Sequence, residues 1–403
     1  MAKKLMNGFP PLTEEQVTLS NWRSAPYIQW SFTHVREIVP SADIPGACRN
    51  SKPLEQVPSD VESVRIPFKG VDYSLSAFLE ETNTDGFVVL HKGKLVNEYN
   101  RPGLTTETPH IIMSVSKSFL GLLAGILIDQ RRLGEELLVT YYVPELAGTA
   151  FDDATVRDLL DMKVGVDFEE NYQASEGLMI AYRQAQGWHP VDATTKAHDL
   201  RSFFSLLTGR QGNHRDKFHY VSPNTDLLGW IIERATGRRY ADLLSELLWR
   251  PIGAETNAYI TVDRLGAPRC AGGICTTTRD LARVGQMMLD DGRVGETQVV
   301  PPQWLQDIET QSDREAWNKG AFLDYFPDLP MHYRSQWYVL NGKDPLVFAV
   351  GVHGQNVFID KTNDLVIAKL SCHGVAMDAE KIQFTTAAVQ AIRAHFASQR
   401  PEC

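Results

Sequence analysis

The chain has 403 residues, 43% hydrophobic and 22% charged, with a formal charge of −10. That size and balance fit a globular protein of one large domain or two lobes, able to bury a substantial core. Forty Lys and Arg against 50 Asp and Glu exclude the basic surface that sequence-independent nucleic-acid binding needs, and give no attraction to anionic lipid.

In chain order, residues 1–8 carry two lysines with no apolar stretch behind them, so no Sec-type signal peptide is expected. Residues 1–60 are rich in Trp and Pro and read as irregular, with Pro40, Pro45, Pro53 and Pro58 interrupting any long element. Residues 86–96 read as two short strands about a turn at Lys92-Gly93. The most apolar run, 119–128, is about half of the roughly 20 residues a membrane span requires and is expected to be a buried helix. The middle of the chain is mostly helical in pattern. Ser222-Pro223 reads as an N-cap with a first-turn proline, and Gly237 as the end of that helix. Three β-rich runs follow at 346–352, 356–359 and 365–371, the last two separated by a polar turn. Ile382, Val389, Ile392 and Phe396 then lie at helical spacing.

Strands at both chain ends with helices between them predict an α+β fold. Residues 1–132 plus 268–403 are expected to form a lobe whose sheet draws on both ends, and 133–267 an inserted all-helical lobe, with the site in the cleft between them. The five cysteines, Cys48, Cys270, Cys275, Cys372 and Cys403, are scattered without Cys-x-x-Cys spacing. They read as reduced thiols of a cytoplasmic protein.

Three segments could carry chemistry. In Ser114-Val115-Ser116-Lys117, just ahead of the apolar run, Ser114 and Lys117 share a helix face. A lysine whose pKa is lowered by burial can remove a serine proton, and a helix N-terminus favours an oxyanion. A capping serine with a solvated lysine one turn on is the competing reading. Tyr220, two residues before Ser222, could project into a cleft and relay protons if nearby cations lower its pKa, or it could simply pack. Glycines in the late strand at Gly351 and Gly354 mark close approach by a ligand or another backbone, as on an edge strand donating an N–H to an oxyanion, or else a bulge. There is no Gly-x-Ser-x-Gly elbow, His-Glu-x-x-His helix or phosphate loop.

Together, Ser-x-x-Lys, then Tyr-x-Ser, then a glycine-bearing strand resemble the penicillin-recognising serine hydrolases. Residues 30–41, 113–118, 142–148, 218–226, 279–285 and 353–356 are similar to the nylon-oligomer hydrolases and their carboxylesterase relatives within that serine β-lactamase-like family. The resemblance implies an antiparallel sheet flanked by helices, an acyl-enzyme acting on small esters or linear amides, and no metal or organic cofactor. It implies Ser114 as nucleophile, Lys117 as base and Tyr220 as proton relay, with the N–H groups of Ser114 and Val352 as oxyanion hole. Tyr172 and Trp188 would close over the substrate, and Ser222, Asn224 and His353 would contact it. It admits a homodimer and implies neither membrane nor nucleic-acid partners. Two departures bear on specificity. Neither Ala349-Val350-Gly351 nor Val352-His353-Gly354 supplies the cation of the Lys-Thr-Gly strand, which counts against β-lactamase or DD-peptidase activity. Arg183 stands where amide-active members carry an acid, favouring small esters over the nylon dimer. A catalytically silent binding protein of the same fold is the alternative from another class.

Overall fold

The computed structural model describes residues 4–47, 51–192, 197–320 and 322–399. Cys48, Cys403 and the start of the N-terminal segment lie outside the described residues. The N-terminal stretch is mostly irregular, but a short strand, β1 (Ser41–Ile44), departs from the sequence expectation. It is followed by β2 (Thr84–His91), β3 (Lys94–Asn100), β4 (His110–Ile111) and the helix α1 (Val115–Asp129). The central segment carries α2 (Leu178–Ala185) and α3 (Ser222–Thr236). After it come β5 (Ala258–Thr261), β6 (Ile274–Thr276) and α4 (Thr278–Leu289). The chain closes with β7 (Met331–Arg334), β8 (Trp337–Leu340), β9 (Leu346–Gly351), β10 (Gln355–Asp360), β11 (Leu365–Ser371) and α5 (Ala379–Ser398).

The main sheet has seven antiparallel strands in the order β7-β8-β9-β10-β11-β2-β3, so strands from late in the chain pair with strands from its first quarter. Alternation along each strand sends side chains to opposite faces. Val88, Leu90, Val357, Ile359 and Val366 therefore face one core, together with α1 and α4 residues such as Leu123 and Leu281. Phe87, Val89, Phe348, Phe358 and Ile367 face the other, under Phe384, Val389, Ile392 and Phe396 of α5. Both faces are dry, which explains why β10 and β11 are buried along their whole length.

A smaller sheet, ordered β1-β5-β6-β4, ties the N-terminal segment to the centre of the chain and leads directly into α1. Its strand β5 lies within the stretch expected to be all-helical. Ala258 and Ile260 pack against the large core while the backbone pairs with β1 and β6. The glycine-bearing strand β9 is not an edge strand but an interior one. Its pairing with β8 stops at Phe348, however, so Ala349–Gly351 run on beyond that neighbour, toward the start of α1. Gly237 ends α3 in the left-handed conformation, as its position suggested.

Candidate functional site

The site forms where β4 gives way to α1. Met113 holds φ +45°, a costly conformation for a side chain with a Cβ, and it turns the chain sharply into the helix. Ser114 stands at the helix start, half-buried, and its hydroxyl caps no backbone amide. Lys117 is 1% exposed. Both halves of the cap-and-solvated-lysine reading therefore fail. The Lys117 Nζ lies 2.9 Å from Ser114 Oγ, 3.0 Å from Ser222 Oγ and 2.7 Å from the Ala271 carbonyl oxygen. Burial lowers its pKa from 10.5 to about 7, with Glu170 opposing the fall and Arg269 adding to it.

Tyr220 sits on the loop before α3, its ring centroid 4.9 Å from Lys117 Nζ and its hydroxyl facing Ser114 and Tyr338. The expectation that cations lower its pKa is overturned. Desolvation dominates and raises it, so the phenol is neutral. Ser222 is also corrected: the cap position belongs to Val221, and Ser222 is the first helical residue. Its hydroxyl is already engaged, donating to Glu170 Oε1 at 2.6 Å, while its N–H donates to Glu170 Oε2 at 2.7 Å. The helix end is thus capped by a carboxylate from outside, an arrangement that the helix dipole favours. Tyr172 donates to the same carboxylate at 3.1 Å.

Opposite Ser114, the end of β9 comes very close. A Cβ on Gly351 would lie 2.7 Å from the Ile112 carbonyl oxygen and 3.0 Å from the Ser114 nitrogen, so only glycine fits there. The register facing Ser114 is therefore Ala349-Val350-Gly351, while Val352-His353-Gly354 forms the turn into β10. Neither the Ser114 nor the Val352 amide donates a hydrogen bond to any described backbone carbonyl, and both residues line the cleft. His353 lines it too. Its Nδ1 shares a 2.7 Å hydrogen bond with the His373 carbonyl, and burial lowers its pKa to about 4, so it is neutral at physiological pH.

Trp188 forms part of the cleft wall. It is 5% exposed, donates from Nε1 to Thr261 Oγ1 at 3.2 Å and packs edge-on to Trp22 at 5.1 Å. Tyr172 is half-buried beside it in the cleft lining. Asn224 does not reach the cleft. It is fully buried in the first turn of α3, its Nδ2 pointing at the Met162 sulfur, because its helix face is turned to the core. Sequence reasoning missed Glu170, although its position two residues before Tyr172 was a usable signal. It also missed the buried pair Arg269–Asp226 at 2.5 Å. Asp226 accepts the Ala271 N–H at 2.8 Å, which fixes the peptide whose neighbouring carbonyl holds Lys117. No spacing rule links residues 226 and 269.

Residues 75–390 match the beta-lactamase family. The chain is 37% identical over 363 residues to the 6-aminohexanoate-dimer hydrolase of Paenarthrobacter ureafaciens, covering 90% of each chain. A solved structure from Bacillus anthracis, provisionally named a 6-aminohexanoate-dimer hydrolase, superposes with a TM-score of 0.87 at 26% identity, covering 97% of this chain and 99% of that one. The class C beta-lactamase of Rhodobacter sphaeroides shares the fold, with a TM-score of 0.55 at 16% identity over 79% of this chain and 97% of that one.

Proposed function

Because the chain belongs to the beta-lactamase family and is a serine hydrolase of that family, we propose that it cleaves carboxylic esters or linear amides through an acyl group carried on Ser114. One observation carries this reading: the hydrogen-bond inventory around Lys117. A neutral amine has two N–H donors and one lone pair. The Ala271 carbonyl can only accept, and the Ser222 hydroxyl has given its proton to Glu170, so it too accepts. As an ammonium Lys117 donates to all three neighbours, Ser114 Oγ included; as a neutral amine it has two donors, which these two acceptors use, and its lone pair is left for the Ser114 O–H.

Lys117 then takes the Ser114 proton as Oγ attacks the carbonyl carbon. The N–H groups of Ser114 and Val352 receive the developing oxyanion. The neutral Tyr220 phenol donates its proton to the departing oxygen or nitrogen and regains one from the Lys117 ammonium. Water enters by the reverse relay and releases the acid. Arg183 in the cleft lining supports a preference for esters over a substrate bearing an ammonium. A cytoplasmic site of action fits the three buried, unpaired cysteines Cys270, Cys275 and Cys372. No described helix is long and apolar enough to cross a membrane.

Turnover of p-nitrophenyl butyrate and of the linear 6-aminohexanoate dimer, by wild type and Ser114→Ala, tests the reading. The expected result is ester cleavage that vanishes with the serine, and little dimer cleavage. Dimer cleavage matching the ester would overturn the preference, and full turnover by Ser114→Ala would overturn the mechanism.

A further inference from the structure

One wall of the cleft carries more positive charge than its own surroundings neutralise. Arg269 is paired with Asp226, and the Glu170 carboxylate, hydrogen-bonded to Ser222 and Tyr172, offsets the charge of Arg183 from a distance without forming an ion pair with it. His353 is neutral, and Glu169 is exposed to solvent at the rim. Two guanidiniums remain, Arg23 and Arg183, both lining the cleft. Arg23 lies over Trp22 and Trp188, at 5.7 and 5.8 Å from their ring centroids. Its Nε is buried with no hydrogen-bond partner among the described residues. Arg183 donates to the carbonyls of Tyr172 and Ala174 at 2.7 and 3.1 Å, and its Nε is likewise buried and unpartnered. Neither has a described carboxylate within salt-bridge distance.

Arg23 is held against two indole rings, and both it and Arg183 keep an Nε–H without a partner among the described residues; guanidiniums placed in this way suit a planar anion. A buried N–H without a partner is costly until one arrives. The electrostatics agree with the geometry: burial, then Arg183, then Arg269 lower the Arg23 pKa to about 9, a cost that a bound anion would relieve. The position indicates which part of a substrate that anion belongs to. Tyr220, the donor to the leaving group, is walled by Phe218, Phe322 and Tyr333. None of those three rings lines the part of the cleft that holds Ser114, Arg23, Arg183 and Trp188, which puts the arginines away from the leaving-group donor and on the side of the acyl group.

We infer that Arg23 and Arg183 bind a carboxylate at the far end of the acyl group, so that the preferred substrates are monoesters or monoamides of aliphatic dicarboxylic acids. This rests on the acyl-enzyme reading above for its chemistry, but the binding of the carboxylate can be measured without it.

The test compares monomethyl adipate, methyl hexanoate and methyl 6-aminohexanoate by pH-stat, for wild type and the Arg23→Gln/Arg183→Gln double variant. Wild type is expected to favour the adipate ester over the hexanoate ester by about tenfold or more in kcat/KM, as a charge-assisted pair would give, with the ammonium ester poorest. The double variant should bring the adipate-to-hexanoate ratio to about one, the value expected once that pair is lost. Equal rates for the charged and neutral esters in wild type would overturn the proposal. Calorimetric titration of monomethyl adipate and methyl hexanoate into Ser114→Ala, with and without the arginine pair, separates the two readings. If no ester is cleaved, the hydrolase reading fails, yet tighter binding of the adipate monoester that depends on the arginines still supports the carboxylate site. Binding of the adipate monoester no tighter than that of methyl hexanoate would sink it.

Discussion

At Lys117 the choice between ammonium and amine is set by groups the chain brings from four separate segments. Burial drives the amine toward neutrality, and Glu170, through its negative charge, holds the proton on. Because the neutral form is the proposed base, kcat/KM should be low below pH 6 and rise through a midpoint near 7, the value to which burial brings Lys117. Replacing Glu170 by Gln removes the attraction that favours the ammonium, so the midpoint should move to lower pH. The pH dependence of kcat/KM for p-nitrophenyl butyrate in both proteins checks this. A midpoint that stays or rises in Glu170→Gln would show that the carboxylate does not act on Lys117. At this scale the sequence was partly legible. Ser114 and Lys117 are one helical turn apart, a distance that spacing can express. The Ala271 carbonyl reaches that nitrogen, and the Glu170 charge acts on it, only because the fold places them there.

Among elements, the approach of β9 to α1 is the feature that most depends on one residue. The strand loses its partner β8 after Phe348, and its last residues lie against the start of the helix. At Gly351 the neighbours are backbone atoms, which cannot rotate away as a side-chain end can. Gly351→Ala should push β9 and the Ser114 segment apart, disturbing both amides of the proposed oxyanion hole. Loss of one such donor costs about a hundredfold or more in rate, so kcat should fall by about that factor while the far-UV circular dichroism stays as in wild type. Near-normal kcat in a folded Gly351→Ala protein would mean that this strand does not shape the reacting site. The glycine in the β run did signal close approach, but it could not say to what. The expected edge strand was wrong because two strands lie on one side of β9 and four on the other, a matter of pairing order that local pattern does not encode.

Across the whole molecule, the architecture was legible where it follows from periodicity. The hairpin of β2 and β3, the three late strands, the buried helix α1 and the amphipathic helix α5 all carry their pattern in the chain. What was not legible comes from contacts between distant segments. The strand β1 has only four residues and acquires its structure by pairing with β5. The same long-range packing draws β5 out of an otherwise helical stretch. A single large core runs from the sheet residues Val88 and Val366 through α1 to Phe151, Phe203 and Tyr240 of the central segment. The proposed division into two lobes is therefore one of topology, and the cleft walls are held by shared packing. That shared packing sets a buried lysine, a neutral tyrosine and two backbone amides around one hydroxyl. The central claim is that Ser114 carries the acyl group, and its most direct test is intact and peptide mass spectrometry of enzyme quenched with acid during turnover of p-nitrophenyl butyrate. A butyryl increment on the Ser114 peptide, absent from Ser114→Ala, is the expected result. Steady ester turnover with no adduct on that peptide, and undiminished in Ser114→Ala, would contradict it.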